Sequence, residues 1–399
     1  MENIKREKYL EKIRPYYNKQ LIKALTGQRR VGKSFLLRQV MDELTTLNPS
    51  GNIIYIDKEK HEFDNVKNYN HLISFVKQQS IESMNYLLID EVQEIEEFEK
   101  ALRSLMSDGN YDIYCTGSNS SVFSGELATF LSGRQIEIRI QSLSYPEFLL
   151  FHQLENSRNA LARYLKYGGL PYLIHLPDDE EIIFDYLKNI YATILYRDVV
   201  SRYQLRDTAF LEILLKYLAD NTGSIVSATR IADYLKSVKN NKTVSVIINY
   251  LAYLEQAYFI SGVKRKDVQG KKIFEGGAKY YFEDLGLRNA VGSYNPADIG
   301  KTMENVIYNH LYYRGYTVYI GKDNNKEIDF IAEKRGEKIY VQVTYLLTGE
   351  QVVEREFGNL TAIPDNYPKY VITMDEFPAV NTYKGIKQLH LIDFLVSEV

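Results

Sequence analysis

Short apolar runs alternate with amphipathic stretches between about residues 21 and 145 of this 399-residue chain. Runs of five or six mostly apolar residues predict buried strands, whereas apolar residues spaced three and four apart predict helices. Alternation of the two patterns favours an α/β domain built on a parallel sheet. The predicted strands are Leu21–Thr26, Ile53–Asp57, Tyr86–Asp90, Ile113–Thr116 and Ile136–Ile140.

The pattern changes three times after residue 145. Residues 146–222 have helical spacing, and residues 279–399 return to an α/β pattern with a helix at Met303–Tyr313 and several short strands. Between them, two helices and two strands follow one another, which predicts a winged helix. We therefore expect four domains, with bounds 1–145, 146–222, 223–278 and 279–399. The elements of the predicted winged helix are Ser227–Lys236, Thr243–Tyr258, Phe259–Arg265 and Lys271–Phe274.

The strongest chemical signal lies between the first strand and the helix that follows it. Residues 27–34 read Gly-Gln-Arg-Arg-Val-Gly-Lys-Ser, which matches the phosphate-loop pattern G-x-x-x-x-G-K-[ST]. The backbone N–H groups of such a loop and the positive end of the next helix can surround a triphosphate. Lys33 would neutralise the β- and γ-phosphates, and Ser34 would take a position on Mg²⁺. The predicted nucleotide-binding residues are Gly27, Gln28, Arg29, Arg30, Val31, Gly32, Lys33, Ser34 and Phe35.

Two carboxylates end the third apolar strand. Tyr86-Leu87-Leu88-Ile89 is followed directly by Asp90 and Glu91, so both acids fall at the carboxyl edge of a buried strand. We expect Asp90 to hold the Mg²⁺ shell and Glu91 to act as a general base or to orient water. The later acids in Glu94–Glu99 are interpreted as a solvated helix face.

Three further polar residues are candidates with two interpretations each. Ser118 and Asn119 follow the strand Ile113–Thr116 and either hydrogen-bond the γ-phosphate or the attacking water, or form a plain turn. Arg134 precedes the strand Ile136–Ile140. It either stabilises the transition state at the nucleotide of its own or a neighbouring subunit, or is a surface arginine at a helix end.

The net charge of the chain does not favour a general attraction of polyanions to its surface. With 49 Lys and Arg against 52 Asp and Glu, the formal charge is −3, which leaves only local basic patches for nucleic acid. The second helix of the predicted winged helix has no Lys or Arg after Lys242, which favours a packing role and leaves phosphate contacts from its wing open. The basic residues of that wing are Lys264, Arg265, Lys266, Lys271 and Lys272.

Cysteine usage and the chain start indicate a cytoplasmic protein. Cys115 is the single cysteine, so an intramolecular disulfide is excluded, and Met1–Glu7 lacks the apolar core of a signal peptide. No apolar stretch approaches the roughly 20 residues that span a bilayer. The six histidines are scattered without zinc spacing.

With these motifs in place, the chain resembles the AAA-type (AAA_14-like) ATPases of bacteria and archaea that carry a C-terminal DUF4143 domain. The resemblance rests on Gly27–Ser34, Leu87–Gln93, Thr116–Asn119, Ser132-Gly133-Arg134 and Gly169-Leu170-Pro171, with further marks at Tyr145–Phe148 and Lys279–Leu287. It implies an additional-strand core similar to the STAND and archaeal AAA branch, a helical lid and a winged helix.

Two residue roles come from that resemblance. Pro171 looks like the lid proline that packs on adenine in STAND proteins, and Arg134 stands where AAA-type proteins carry an arginine finger. The nucleotide is expected to be ATP, because the nearest approach to a guanine motif, at Asn325–Ile328, lacks the required Asp.

The resemblance also implies that the last domain is similar to PD-(D/E)xK nucleases. Glu304, Asp329 and a following E-x-K would hold Mg²⁺ and activate water, but Gln342 stands where the Glu is expected and Thr344 where the Lys is expected. Glutamine can still offer a carbonyl oxygen, whereas threonine cannot supply the ammonium. We therefore expect Glu304, Asp329 and Gln342 to form a degenerate nuclease site.

The leading functional hypothesis is a Mg²⁺-dependent ATPase that acts as a nucleotide-controlled conformational switch. One alternative is an ATP-gated nucleic-acid-binding or nuclease protein in DNA repair or anti-phage defence, and another is a scaffold that binds ATP with negligible turnover. The expected cofactors are ATP and Mg²⁺. Nucleic acid and a homo-oligomeric partner stay open, and no membrane association is expected.

Overall fold

The computed structural model describes residues 4–123, 133–268, 270, 272–323, 326–376 and 382–397. Contacts divide the chain into two compact units. The first unit comprises Met1–Gln141 with Gln256–Tyr258, and the second comprises Ser142–Glu255 with Phe259–Val399.

The first unit is built on a parallel sheet, as the alternating pattern predicts. Its strand order in the described part of the chain is β2-β3-β4-β1-β5, so β4 lies between the strand that precedes the phosphate loop and the strand that ends in Asp90. All five predicted strands are confirmed to within two residues. Their bounds are β1 Ile22–Thr26, β2 Asn52–Asp57, β3 Asn85–Asp90, β4 Tyr111–Gly117 and β5 Gln135–Arg139.

Amphipathic helices cover this sheet because each buries one apolar stripe against it. Helix α2 contributes Leu36, Val40 and Leu44, which are buried, and Cys115 of β4 is buried as predicted. The helices of the first unit are α1 Glu7–Ile13, α2 Lys33–Leu47, α3 Tyr69–Gln79 and α4 Phe98–Asp108.

The second unit begins with helices and continues into a mixed sheet. The predicted helical region after residue 145 is confirmed, and it includes a π-helical segment at Ile194–Ser201. The other helices of this unit are Tyr145–His152, Arg158–Tyr167, Glu180–Thr193, Thr208–Asp220, Ala228–Ser237, Val244–Gln256, Leu285–Gly292, Ile299–Tyr313, Glu350–Thr361 and Leu391–Val396.

Among the described residues, eight strands form the sheet of the second unit, in the order β12-β13-β11-β10-β9-β8-β6-β7. The apolar core beneath it includes Tyr281, Ile307 and Phe330, which are completely buried. The strands are β6 Ile260–Asp267, β7 Ile273–Phe282, β8 Thr317–Asp323, β9 Lys326–Lys334, β10 Glu337–Val343, β11 Lys369–Thr373, β12 Thr382–Tyr383 and β13 Ile386–His390.

The hairpin of β6 and β7 differs from the expected wing in one respect. Two helices and a hairpin do follow one another as predicted, but β7 crosses the predicted boundary at residues 278 and 279. Strand β6 also pairs in parallel with β8, with Arg265 opposite Ile320. The hairpin is therefore part of the larger sheet. The winged helix and the four-domain division stay predictions.

No helix in the described ranges is both long and apolar enough to cross a bilayer.

Candidate functional site

The phosphate loop begins where β1 ends and requires its first glycine. Gly27 has φ +145°, and a Cβ added there would lie 2.1 Å from the carbonyl oxygen of Ile140. The neighbouring Thr26 carbonyl accepts a hydrogen bond of 2.7 Å from the Ile140 N–H, which holds the two segments at this distance. Gly32, with φ +95°, then turns the chain directly into α2. The local backbone is therefore that of a loop closing on a helix N-terminus.

Lys33 places a positive charge inside this loop. Its buried Nζ donates to the carbonyl oxygens of Gly27 at 3.1 Å and Gln28 at 3.0 Å. The same Nζ lies 3.7 Å from Oε1 of Glu91. This ion pair therefore brings together the two predicted parts of the site, the phosphate loop and the pair of acids after β3.

Asp90 is held by a hydroxyl group on β4, the strand that lies between β1 and β3. Thr116 Oγ1 on β4 donates to Asp90 Oδ1 at 2.5 Å and accepts from the Glu91 backbone N–H at 2.8 Å. Burial raises the pKa of Asp90 above its ordinary value, and hydrogen bonds from Thr116 and Ser34 only partly offset that. Thr116 opened one of the quoted sequence motifs but was given no role in the site. The available signal for a role in the site was its hydroxyl group near the end of β4, the strand that pairs with both β1 and β3.

Glu91 is fixed in an orientation of its own. Its φ of +55° turns it away from the direction of β3, and Gln93 Nε2 donates to its Oε2. Burial raises the pKa of the Glu91 carboxyl, but the charges of Lys33 and Arg29 outweigh it and leave that pKa below its ordinary value. The carboxylate is therefore ionised near neutral pH and able to accept a proton.

The polar turn after β4 lies beside Glu91. Ser118 and Asn119 are completely buried, and Gln93 Nε2 lies 3.4 Å from Ser118 Oγ. This placement suits the functional interpretation of both residues, which stays a prediction.

The remaining loop residues divide into buried and exposed ones. Arg29 is buried and donates to Glu59 Oε1 at 3.2 Å, and Val31 is also buried. Arg30 is exposed, and the ring of Phe35 is 59% exposed with Arg38 Cζ 5.6 Å from its centroid. Gln28 is completely buried, yet neither polar atom of its side chain has a hydrogen-bond partner in the described structure.

Asp57 is a further carboxylate that sequence analysis missed. It ends β2 directly opposite Asp90 in the strand register and is buried, and its Oδ2 lies 3.6 Å from an Nη atom of Arg38. Its charge contributes to the raised pKa of Asp90. Like Asp90, it closes an apolar strand, and that shared position was the available signal.

These groups fit a magnesium–triphosphate complex by their chemistry. Ser34, Asp57 and Asp90 offer hydroxyl and carboxylate oxygens, which are the ligands that Mg²⁺ accepts. The ammonium of Lys33 and the unpartnered amide of buried Gln28 are donors inside a loop with backbone bent by Gly27 and Gly32. A bound anion would accept hydrogen bonds from the ammonium group and from the amide N–H.

Arg134 lies far from its own loop. It precedes β5 and its carbonyl accepts from the N–H of Ile22, the first residue of β1. The loop starts beyond Thr26, four residues on, which is about 13 Å along a strand. Action on the nucleotide of its own subunit does not fit this placement, and action on a neighbouring subunit stays a prediction.

Pro171 begins a short 3₁₀ turn, Pro171–His175, in the second unit. Gly169 precedes it in a tight place, because an added Cβ would lie 2.4 Å from the Leu143 carbonyl oxygen. The predicted contact of Pro171 with adenine stays a prediction.

The predicted C-terminal residues come together around a lysine. Lys279 on β7 is buried, and its Nζ lies 2.8 Å from Glu304 Oε1, 2.7 Å from Glu327 Oε1 and 3.1 Å from Asp329 Oδ1. Tyr281 donates to the same Glu304 oxygen at 2.5 Å. An ammonium group thus stands among the carboxylates that were expected to surround a metal.

Gln342 is placed beside this cluster but its amide is turned to other partners. Its Oε1 accepts from the Asp329 backbone N–H at 3.4 Å, and its Nε2 donates to Glu356 at 3.0 Å. Within the described ranges, no group of three or more His, Cys, Asp or Glu side chains is arranged to hold a metal ion. Lys279 and Glu327 were missed as members of the site, although Lys279 opened one of the quoted motifs.

Some residues of the sequence analysis lie outside the described residues: residues 1–3 of the chain start, Ser132 of the motif before β5, Lys271 of the predicted wing, and Asn325 of the segment compared with a guanine motif.

Two family models match the chain. Residues 19–149 match an AAA domain, which agrees with the loop, the strand order and the acids described above. Residues 158–298 match a domain of unknown function, DUF8612. The expected DUF4143 domain is therefore wrong, because the match that follows the AAA domain is DUF8612. The STAND and nuclease resemblances stay predictions.

Two solved structures are similar to this chain at low sequence identity. The Walker-type ATPase PABY2304 of Pyrococcus abyssi is 17% identical, with a TM-score of 0.48 over 71% of this chain and 93% of that chain. The Aeropyrum pernix ORC1 protein in complex with DNA is 13% identical, with a TM-score of 0.34 over 72% and 91%.

Two relatives are similar along most of their length. An uncharacterized protein of Haemophilus influenzae is 35% identical over 99% of both chains. Protein MJ1544 of Methanocaldococcus jannaschii, also uncharacterized, is 30% identical over 84% of this chain and 77% of its own. The chain therefore belongs to one family with these two proteins, and its amino-terminal third is an AAA domain.

Proposed function

We propose that this protein binds ATP with Mg²⁺ and hydrolyses it. The observation that carries the proposal is the contact between Lys33 and Glu91. One residue supplies the cation of a phosphate loop, the other supplies a buried ionised carboxylate, and the two charged atoms are 3.7 Å apart.

Each residue has a chemical role in this proposal. Lys33 binds the β- and γ-phosphate oxygens, and Ser34 and Asp90 hold the metal shell, with Asp57 beside them. Glu91 accepts the proton of the attacking water, while Gln93 keeps its carboxylate in place. Bound Mg²⁺ would offset negative charge that develops on the phosphates.

We propose a conformational switch as the use of this hydrolysis. Contacts of Pro171 and the helical region with ATP would favour one arrangement of the chain, and hydrolysis would remove those contacts. Lys33 supports this idea, because its ammonium binds loop carbonyls that it would exchange for phosphate oxygens.

The carboxylate cluster of the second unit is proposed to be structural rather than nucleolytic. Lys279 places its positive charge within 3.1 Å of three carboxylates, and the Gln342 amide is committed to Asp329 and Glu356. Cleavage of plasmid or single-stranded DNA with Mg²⁺ or Mn²⁺, lost on Asp329→Ala, would overturn this part.

Two variants test the ATPase proposal. Lys33→Ala should abolish tight ATP binding, because the loop loses its fixed positive charge. Glu91→Gln should keep ATP affinity and lower turnover by at least about 10²-fold, the size of a general-base contribution. Calorimetry measures the first quantity and phosphate release the second.

Glu96→Gln is the matched control. It makes the same change at an exposed residue of the same acidic stretch and should leave both quantities unchanged. Normal turnover by Glu91→Gln would remove Glu91 from the mechanism, and tight binding without turnover in the unaltered protein would select the scaffold hypothesis.

A further inference from the structure

Three cations of the second unit surround one aromatic ring. Lys322 Nζ on β8 lies 4.7 Å from the centroid of the Phe274 ring, Lys272 Nζ lies 5.4 Å from it and Arg265 Cζ on β6 lies 5.8 Å from it. We call Arg265, Lys272, Phe274 and Lys322 the Phe274 patch. The ring is partly exposed, so the patch is open to solvent.

Strand register explains why these side chains meet. Arg265 is directly opposite Phe274 in the antiparallel pair, and Lys322 is opposite Asp267, two residues beyond Arg265. Residues two apart on a strand share a face, so all of them lie on one face of the sheet. The position of Lys322 depends on the parallel pairing of β6 with β8, which a free wing would not have.

The patch keeps its positive charge. In the described part of the chain, Arg265, Lys272 and Lys322 form no ion pair; Glu327 stands opposite Lys322 in the strand register, but its Oε1 lies 2.7 Å from Lys279 Nζ. The Arg265 guanidinium donates to the Gly276 carbonyl oxygen, and its buried Nε has no acceptor. Asp267 shares the face, and its carboxylate accepts from the Gly270 N–H at 2.8 Å. By contrast, Lys266 on the opposite face is neutralised by Glu333 at 2.7 Å.

Three like charges in one place repel one another, and the ring quadrupole and the single Asp267 carboxylate on the same face offset this only in part. An anionic partner would remove the rest of the repulsion. The chain as a whole carries a formal charge of −3, so a partner must be held by this local charge rather than by a general field.

We infer that the Phe274 patch binds single-stranded nucleic acid. Its cations contact phosphate oxygens, and the Phe274 ring contacts an unpaired base or its sugar, which is the combination that single-strand-binding surfaces use. A duplex offers the phosphates without a free base. The inference goes beyond the proposed ATPase activity and does not depend on it.

Fluorescence anisotropy with a labelled, mixed-sequence single-stranded DNA of about 16 nucleotides tests the inference. The full chain is titrated without nucleotide, and Lys33→Ala protein is measured beside it. Equal DNA affinity of the two proteins keeps the outcome separate from that of the ATPase proposal. Log affinity should fall with log salt, and each neutralised patch cation should reduce that slope by about 0.7.

Two sets of variants distinguish the contribution of the positive charges to binding from that of the Phe274 ring. The double change Arg265→Gln and Lys322→Gln should weaken binding at least about tenfold at low salt. Phe274→Leu should weaken it by about tenfold, within the range for one base–aromatic contact, whereas Phe274→Tyr should retain it. Lys266→Gln is the control, because it removes one positive charge from the opposite face and should change affinity little.

Thermal unfolding of every variant confirms that the fold is retained. The inference is overturned if Lys266→Gln weakens binding as much as the patch variants do, or if binding is insensitive to salt. Equal affinity for duplex DNA with no effect of Phe274→Leu would make the patch a plain backbone contact and overturn the single-strand assignment. Equal binding to vesicles of anionic lipid would overturn nucleic acid as the partner.

Discussion

At the scale of single residues, the two carboxylates after β3 do different things because their surroundings differ. Asp90 faces Thr116 and Ser34, and burial raises its pKa. Glu91 faces Lys33 and Arg29, whose charges lower its pKa despite burial. The two adjacent acids therefore have pKa values shifted in opposite directions, and the lowered pKa keeps the Glu91 carboxylate ionised near neutral pH.

Glu304 allows a prediction about pH. Burial and the charge of Asp329 raise its pKa from 4.5 to about 7, although Lys279 lowers it. The folded state therefore binds a proton that the unfolded chain has released, and the free energy of unfolding decreases as pH rises from about 4.5 to about 7. Glu304→Gln should flatten this dependence. Urea unfolding of both proteins at several pH values within this window measures it, and identical pH slopes would contradict the assignment.

The residues that the sequence predicts for the site and those that it missed differ in a physical way. Lys33, Ser34, Asp90 and Glu91 lie at fixed spacing around strand ends, so local pattern suffices to predict them. Asp57 and Lys279 act through partners from other strands, Asp90 and Asp329 among them. Their importance depends on strand order and register, which apolar periodicity does not specify.

At the scale of elements, the same limit applies to the hairpin of β6 and β7. Two strands and the basic residues around them were predictable from alternation and composition. The parallel pairing of β6 with β8 joins segments about 55 residues apart along the chain, and no local signal marks it. That pairing brings Lys322 to Phe274 and converts a predicted wing into an edge of a larger sheet.

An ion pair between β1 and β4 gives a prediction about stability. Lys23 and Asp112 are both buried and form an ion pair, and Asp112 Oδ2 also accepts from Tyr114 at 2.7 Å and the Asn18 N–H at 2.9 Å. Asp112→Ala leaves a buried ammonium without its carboxylate and should lower the free energy of unfolding by about 3–5 kcal/mol. Chemical denaturation measures this change.

The control for this pair replaces both charges. A Lys23→Met, Asp112→Leu double variant removes the unpaired ammonium and should recover part of the lost stability, although Tyr114 and Asn18 lose an acceptor. A double variant less stable than Asp112→Ala would show that the carboxylate acts through those two neighbours and not through Lys23.

At the scale of the whole molecule, the phosphate loop and Arg134 occupy opposite edges of one sheet. Loop and carboxylates stand at the carboxyl edge, where parallel sheets bind ligands, whereas Arg134 stands beside Ile22 at the amino edge. A subunit with a site on one edge and a cationic side chain on the other can place that cation at the site of a second copy. A homo-oligomer in which Arg134 of one copy acts at the site of the next stays a prediction.

The last prediction follows from that geometry. Arg134→Ala should retain ATP affinity within a few-fold and lower turnover by roughly 10³-fold, the size of an arginine-finger effect. Turnover per subunit of the unaltered protein should rise with protein concentration, because the arginine comes from a second copy. Mixing Arg134→Ala with Lys33→Ala should restore part of the activity, since the first variant keeps an intact loop and the second keeps the arginine. Calorimetry measures the ATP affinity, and phosphate release across a dilution series measures the turnover of each protein and of the mixture. Turnover independent of both concentration and Arg134 would make this arginine a surface residue.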